Sequence, residues 1–317
     1  MMEPIGGYFP LELSFNEEYH KDAIKLNTGR NCLEYILRAR KYNKVLLPYY
    51  TCSVILEPFA KLGIPYEFYH IDINLEIKRH FSLNQGEALL YTNYFGLKQQ
   101  YVKQLVKEYG SRLIIDNTQA FYAEPIKGVD TFYTCRKFFG VPDGAYLYTT
   151  VVLDTVFEQD QSFDRMMHLL KRIDISPEAG FFDFRKADDG LGNQPIRRMS
   201  KLTRCLMKSI DYNRVALLRR ENFKQIHTIL AKTNRINLPL EDNAIPMVYP
   251  YLSFNMGLRE KLIEKRIYVA RYWPNVLDWC NNDEMENILA YQMLPIPIDQ
   301  RYKEEEMNTI INIIQEL

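Results

Sequence analysis

Between about residues 29 and 280, short apolar runs alternate with longer stretches whose apolar residues recur at helical spacing. In Gly29 to Arg40 they fall at Leu33, Ile36 and Leu37, which predicts a helix. Lys44 to Leu47 reads as a short buried strand stopped by Pro48, and Ser53 to Leu62 as a helix ended by Gly63. Tyr66 to Ile71 predicts the next strand, and Ala88 to Tyr94 another that runs into Phe95 and Gly96. Gln99 to Tyr109 predicts a helix closed by Gly110. Three further strands follow at Arg112 to Asp116, Val129 to Thr134 and Ala145 to Thr149. Strands separated by helices imply a mainly parallel sheet wrapped by helices, an α/β fold. In such sheets ligands bind beyond the carboxyl ends of the strands. That rule draws Tyr49, Asn93, Asp116 and the segment after Thr134 toward one crevice.

The pattern then changes. Residues 151 to 232 read as helices with a less regular middle, and 177 to 198 are rich in Gly, Pro and charge, as in a surface excursion. From 235 onward there is a strand-like 247 to 254, a helix around 257 to 266, a further apolar run at 267 to 273 and a last helix at 303 to 317. The 317 residues therefore divide into an N-terminal arm (1–20), a large α/β domain (21–234) and a small C-terminal α+β domain (235–317).

Hydrophobic residues make up 47% and charged residues 25%, the mix of a globular chain. Forty basic and forty acidic side chains cancel, so no global field draws the chain to nucleic acid or to an anionic membrane. No apolar run approaches the roughly 18 residues of a membrane span, and the opening MMEPIGGYFP lacks the basic-then-apolar pattern of a signal peptide. The five cysteines (32, 52, 135, 205, 280) form no CxxC and no Cys/His cluster, which fits a reduced, cytosolic protein without a metal. The five histidines are scattered and read as ordinary core or surface residues. Aromatic content is high, with 23 tyrosines, as a pocket that stacks flat ligands would need; composition alone does not decide that.

Four local patterns carry the candidate chemistry. Asn27-Thr28-Gly29-Arg30 opens a helix, where free backbone N–H groups can face an anion. Tyr91-Thr92-Asn93-Tyr94-Phe95-Gly96 ends a strand. Asp116 closes another, with Gln119 three residues on. Thr134-Cys135-Arg136-Lys137 leads into a turn through Val141-Pro142-Asp143-Gly144. Each alone has a plain structural explanation: a helix cap, aromatic packing, a second cap, a solvated lysine.

In this order the four resemble the fold-type-I pyridoxal-phosphate enzymes, most closely the DegT-type sugar aminotransferase family. That family has a strand ending in aspartate, a Gln or His three residues later, and then a Ser/Thr-x-x-Lys before a glycine turn. Asp116, Gln119, Thr134, Lys137 and Gly144 fit that order and spacing. Segment 48 to 63 resembles the family's Pro-x-aromatic-Thr turn, and 294 to 302 its closing segment. The likeness covers most of the chain and implies pyridoxal 5'-phosphate as cofactor.

The resemblance also implies roles. Lys137 would carry the cofactor as a Schiff base and later move a proton, which favours an amine pKa lowered toward neutrality. Asp116 would pair with the pyridine nitrogen and keep it protonated. Gln119 would lie near the ring oxygen or face, and Asn93 would reach the ring oxygen. Thr28, Gly29 and Arg30 would hold the phosphate with help from Thr134, while Tyr50 or Cys52 would cover the ring. Tyr8 would fold over the pocket, or the arm would stay open. Arg271 and Arg301 are candidates for a substrate carboxylate, because a guanidinium matches it with two parallel hydrogen bonds. The chain departs from the family at Cys52, where an aromatic is usual. It departs again at Ile196 before Arg198-Met199-Ser200, where an asparagine normally reaches the partner subunit's cofactor; that contact is lost or moves to Asn193. Asp143-Gly144-Ala145 replaces the usual Glu-Gly-Gly.

The function implied is a cytosolic, homodimeric aminotransferase. It would move an amino group, from glutamate by resemblance, to a keto sugar or related ketone, as in sugar or cell-surface polysaccharide biosynthesis. The same lysine and aspartate also serve lyases, decarboxylases and aldolases, and a catalytically inactive relative that binds a nucleotide-sugar or a partner protein is a third reading.

Overall fold

The computed structural model describes residues 5–255 and 257–316. Residues 1–4 of the expected arm and Leu317 of the expected last helix lie outside the described residues. Strands are β1 (Ile24–Leu26), β2 (Lys44–Pro48), β3 (Tyr66–Tyr69), β4 (Glu87–Thr92), β5 (Leu113–Asp116), β6 (Asp130–Thr134), β7 (Ala145–Tyr148), β8 (Tyr249–Leu252) and β9 (Met293–Ile296). Helices are α1 (Gly29–Arg40), α2 (Glu57–Leu62), α3 (Gln99–Tyr109), α4 (Met167–Asp174), α5 (Pro177–Asp189), α6 (Lys201–Lys208), α7 (Tyr212–Leu230), α8 (Leu258–Glu264), α9 (Val276–Trp279), α10 (Met285–Gln292) and α11 (Glu304–Gln315).

The central sheet has seven strands in the order β1-β7-β6-β5-β4-β2-β3. Pairs β3/β2, β2/β4, β4/β5 and β5/β6 are parallel; β7 is antiparallel to β6, and β1 to β7. Side chains alternate across the sheet, as a strand's two-residue period requires. Ala88 and Leu90 of β4 join a core with α1 and α2, while Leu89 and Tyr91 join the larger core that reaches α3, α7 and the C-terminal elements. Burial of Leu33, Ile36 and Leu37 fixes α1 against the first face, each such side chain contributing about 1.5–3 kcal/mol.

Several expected elements differ. Residues 177 to 189 are not an excursion but helix α5, capped by Ser176 and started by Pro177. Gly180 is there for close packing: a Cβ would stand 2.8 Å from the His168 carbonyl oxygen of α4. The run at 267 to 273 pairs with no strand; β8 pairs with β9 instead. The expected helix at 53 to 62 begins as a 3-10 turn over Ser53–Leu56 before α2. Helix α7, on the large-domain side of the expected boundary, packs on α11 and β8. No described helix is long and apolar enough to cross a membrane.

Candidate active site

Lys137 lies in the hairpin turn between β6 and β7. The Cys135 carbonyl accepts N–H bonds from both Phe138 (3.1 Å) and Phe139 (3.0 Å), which curls the turn tightly. Gly144 closes it at φ 105°, and a Cβ there would come within 2.8 Å of Thr203 Cγ2. Only glycine meets both demands without strain. The Lys137 Nζ donates to Thr118 Oγ1 at 3.1 Å. Lys137 keeps accessible surface, although protein atoms crowd its amine. That crowding lowers its amine pKa, opposed by the negative charge of Asp116 and then by Cys52.

Asp116 ends β5 and is buried. Its Oδ1 accepts the backbone N–H of Thr118 at 2.8 Å. Burial raises its pKa, opposed first by Lys137 and then by the Thr118 bonds. Each group is thus the other's leading countercharge, yet no ion pair joins them among the described residues; Thr118 stands between. Gly29 borders the same threonine, since a Cβ on it would lie 3.3 Å from Thr118 Cγ2. Thr28 caps α1: its hydroxyl accepts from Asn31 N–H (3.1 Å) and donates to Asn31 Oδ1 (2.6 Å). That leaves the Gly29 and Arg30 amides as the uncapped donors of the first turn.

The remaining expected residues divide. Cys52 is half-buried and acts on the Lys137 amine. Thr134 Oγ1 donates to the Gly144 carbonyl at 3.4 Å. Gln119 is wholly buried; its Oε1 accepts from Phe95 N–H at 3.0 Å and its Nε2 has no acceptor. Phe95 is left-handed at φ 56°, so this bond holds a turn that costs free energy. Asn93 has its polar atoms engaged: Nδ2 with Gln99 and Asn117, Oδ1 with Lys98 N–H. Fully buried, it does not suit the ring oxygen. Tyr50 packs edge-on against Trp273 inside the core, so it is no ring cover. The Arg30 side chain is held by Glu57 at 2.9 Å, leaving only its amide for an anion. Arg301 makes two bonds to Asp299 (2.7 and 2.8 Å) and is already neutralised, which does not suit a substrate carboxylate. Arg271 lies 5.2 Å over the Tyr291 ring, beside Arg259 and Gln292 in a small-domain cavity that no neighbour of Lys137 lines. Tyr8 is 97% exposed, so it does not fold over the site. Asn193 is exposed on the same chain's surface near α1.

Two contributors were not legible as site residues. Thr118, between Asp116 and Gln119, has no motif signal of its own, and Arg219 of α7 carries no local motif at all. Arg219 is buried and donates to the carbonyl of Phe138, directly after Lys137.

No family model matches the chain, and no curated protein matches it in sequence. Solved structures do match in shape. The TlmJ aminotransferase of Streptoalloteichus hindustanus superposes with TM-score 0.65 at 14% identity, over 93% of this chain and 85% of that one. The sugar aminotransferase CalS13 of Micromonospora echinospora gives 0.62 at 13%, over 94% and 88%. The chain has the fold of type I pyridoxal-phosphate enzymes. A third structure with this fold is the E. coli GDP-4-keto-6-deoxy-D-mannose-3-dehydratase with bound hydrated PLP, at 0.61 and 12%, over 92% and 87%. Asp116 closes β5, Thr118 follows it and Lys137 follows β6, so the three meet beyond the carboxyl ends of two adjacent parallel strands.

Proposed function

We propose that this chain is a pyridoxal-phosphate-dependent aminotransferase acting on a keto sugar. One observation carries the reading: Lys137 and Asp116 converge on Thr118, beside Gly29, at the carboxyl edge of the parallel sheet. The donor set suits the cofactor. Asp116 is a buried carboxylate with one oxygen engaged by Thr118 N–H, and a protonated ring nitrogen would satisfy the rest. The amides of Gly29 and Arg30 are free donors for a phosphate. When bound, the cofactor supplies the electron sink that labilises a bond beside an imine.

This chain's own residues do the rest. Asp116 holds a proton at the ring nitrogen. Lys137 is the covalent anchor, and burial lowers its amine pKa, the direction that suits an amine that takes and returns a proton. Thr118 orients that amine through its hydroxyl. Cys52 lies close enough to act electrostatically on the amine. Residues 21–234 carry the cofactor and 235–317 close over it. The names of two fold neighbours support the sugar acceptor. Glutamate is the donor to try first.

The chain works as a homodimer in the cytoplasm. A compact chain of 37.6 kDa exposes about 13,800 Å², whereas this one exposes 16905 Å². Part of that surface is exposed apolar side chains: Phe9, Leu11 and Phe15 of the arm, and Ile173, Phe181 and Phe182 of the α4–α5 hairpin. Burying about half of the excess on each of two chains would make an interface of about 3,000 Å² in total, within the range of obligate dimers. Five free cysteines fit a reducing compartment.

Adding pyridoxal phosphate should produce a near-ultraviolet to blue band that Lys137→Ala abolishes. Glutamate should then bleach it with release of 2-oxoglutarate. A protein that stays colourless at saturating cofactor would overturn the reading. A coloured protein that ignores every amino donor but dehydrates a keto sugar would move it to the second reading, a dehydratase, which the third fold neighbour favours.

A further inference from the structure

Arg219 is a buried cation that makes no ion pair among the described residues. A charge taken out of water without a carboxylate is costly unless hydrogen bonds take over its solvation. Arg219 spends its guanidinium on four acceptors instead. Nη2 donates to the Phe138 carbonyl (3.3 Å) and Nη1 to the carbonyls of Pro246 (3.2 Å) and Met247 (2.8 Å); Nε donates to Gln300 Oε1 (3.0 Å). Gln300 in turn donates its Nε2 to the same Phe138 carbonyl at 2.8 Å. The guanidinium also lies 4.5 Å over the Phe138 ring.

The three groups form a closed triangle around one main-chain oxygen, that of the residue directly after Lys137. Its corners come from the lysine turn, from α7 and from the segment after β9. Met247, also held by Arg219, donates its own N–H to the Phe95 carbonyl at 2.8 Å, on the turn that Gln119 holds. The triangle therefore ties the lysine turn to the entry and the exit of the C-terminal unit.

We propose that Arg219 and Gln300 are positioning residues that hold the Lys137 amine at the depth from which it reaches a cofactor carbonyl. This rests on the functional reading above. The two donors converge on Phe138 O because the tight turn points that carbonyl into the protein. Removing a donor lets the peptide rotate, and the amine swings off Thr118. Misplacing a reacting group by about 1 Å can cost up to a hundredfold in rate.

Full-length Gln300→Met is the lead variant, since it keeps shape and loses both bonds; Arg219→Lys keeps the charge and loses the fork. Two readouts separate this role from mere stability. In the apoprotein, 13C reductive methylation followed by an NMR pH titration reports the Lys137 amine. With pyridoxal phosphate, the rate of covalent capture is read by absorbance and by borohydride fixation. We expect the Lys137 pKa of Gln300→Met to move up toward the ordinary lysine range and capture to slow about tenfold or more. A folded Gln300→Met whose Lys137 titrates and captures as wild type does would overturn the proposal, whatever its melting temperature. Should Arg219→Lys not fold, Gln300→Met decides alone. If wild type captures no cofactor, the functional reading fails, while the apoprotein titration still tests the triangle.

Discussion

Lys137 and Asp116 meet through a single residue: Thr118 accepts the lysine amine on its hydroxyl and gives its backbone N–H to the aspartate. Replacing Thr118 by valine removes the hydroxyl and keeps the shape. Covalent capture of pyridoxal phosphate should fall about tenfold, while stability drops only by about 1 kcal/mol. Thr118→Ser should restore capture. A valine variant with wild-type capture kinetics would show that the hydroxyl does not orient the amine.

The charges at this site work against the fold. Lys137 is lowered and Asp116 raised, both mainly by burial. A lowered lysine gives its full stability above its unfolded pKa and loses it as pH falls through the folded value. A raised carboxyl gives its full stability below its unfolded pKa and loses it as pH rises. At pH 7 both ionised forms are therefore disfavoured. Lys137→Met and Asp116→Asn should each stabilise the apoprotein, by about 1 kcal/mol or less for the water-screened lysine. The double variant should gain more than the sum, because each single change strips the other group of its countercharge. Urea unfolding of the four proteins at pH 7 checks this; single variants that melt lower than wild type would refute it.

Gly29→Ala separates folding from cofactor binding. The position is helical, and alanine is favoured there over glycine by up to about 1 kcal/mol. The new methyl, however, would press on Thr118 at 3.3 Å. The melting temperature should hold or rise, and the cofactor dissociation constant should increase about tenfold as Thr118 shifts. Equal affinity in both proteins would mean the cofactor does not approach this helix end.

His20 offers a pH test remote from the site. It is buried, donating Nε2–H to the Phe121 carbonyl at 2.7 Å, with Nδ1 3.2 Å from the Tyr148 hydroxyl. Burial pushes its pKa down to about 4. Its contribution is fully present above 6.5 and is lost as pH falls from there through 4. The loss is about 3 kcal/mol over that window. His20→Gln, which keeps a donor, should flatten the stability profile between pH 6.5 and 4. A profile unchanged by the substitution would assign the acid sensitivity to other groups.

Much of this architecture could be read in the chain. Helices α1 and α3 have the expected ends, because Thr28 and Gly110 punctuate clean helical periods. The order Asp116, Gln119, Thr134, Lys137 led to the crevice because strand ends are local features. Helix α5 was missed because Gly180 reads as a break, although it serves close contact with α4. Strand β9 carries Pro295 and pairs only with β8, so its residues lacked a strand signature. Chemistry type alone points to Asn93, Tyr50 and Arg301, but partners at other points of the chain or a nearby acid consume the polar groups of each or bury it. Arg219 and Gln300 were invisible because their shared acceptor is a main-chain oxygen, which no side-chain pattern announces.

The reversal of β7 against β6 has a consequence for how this protein can vary. The parallel pairs β2/β3, β4/β5 and β5/β6 are joined by longer connections of 13 to 20 residues, with room to change away from the strand ends. The stretch from Cys135 to Gly144 has no such slack, since the amide of its first residue bonds the carbonyl of its last at 2.9 Å. Lengthening it by a single residue would shift the lysine relative to the acid one strand away. Descendants of this chain are free to remodel their rims, but the spacing inside that small loop is held to one size.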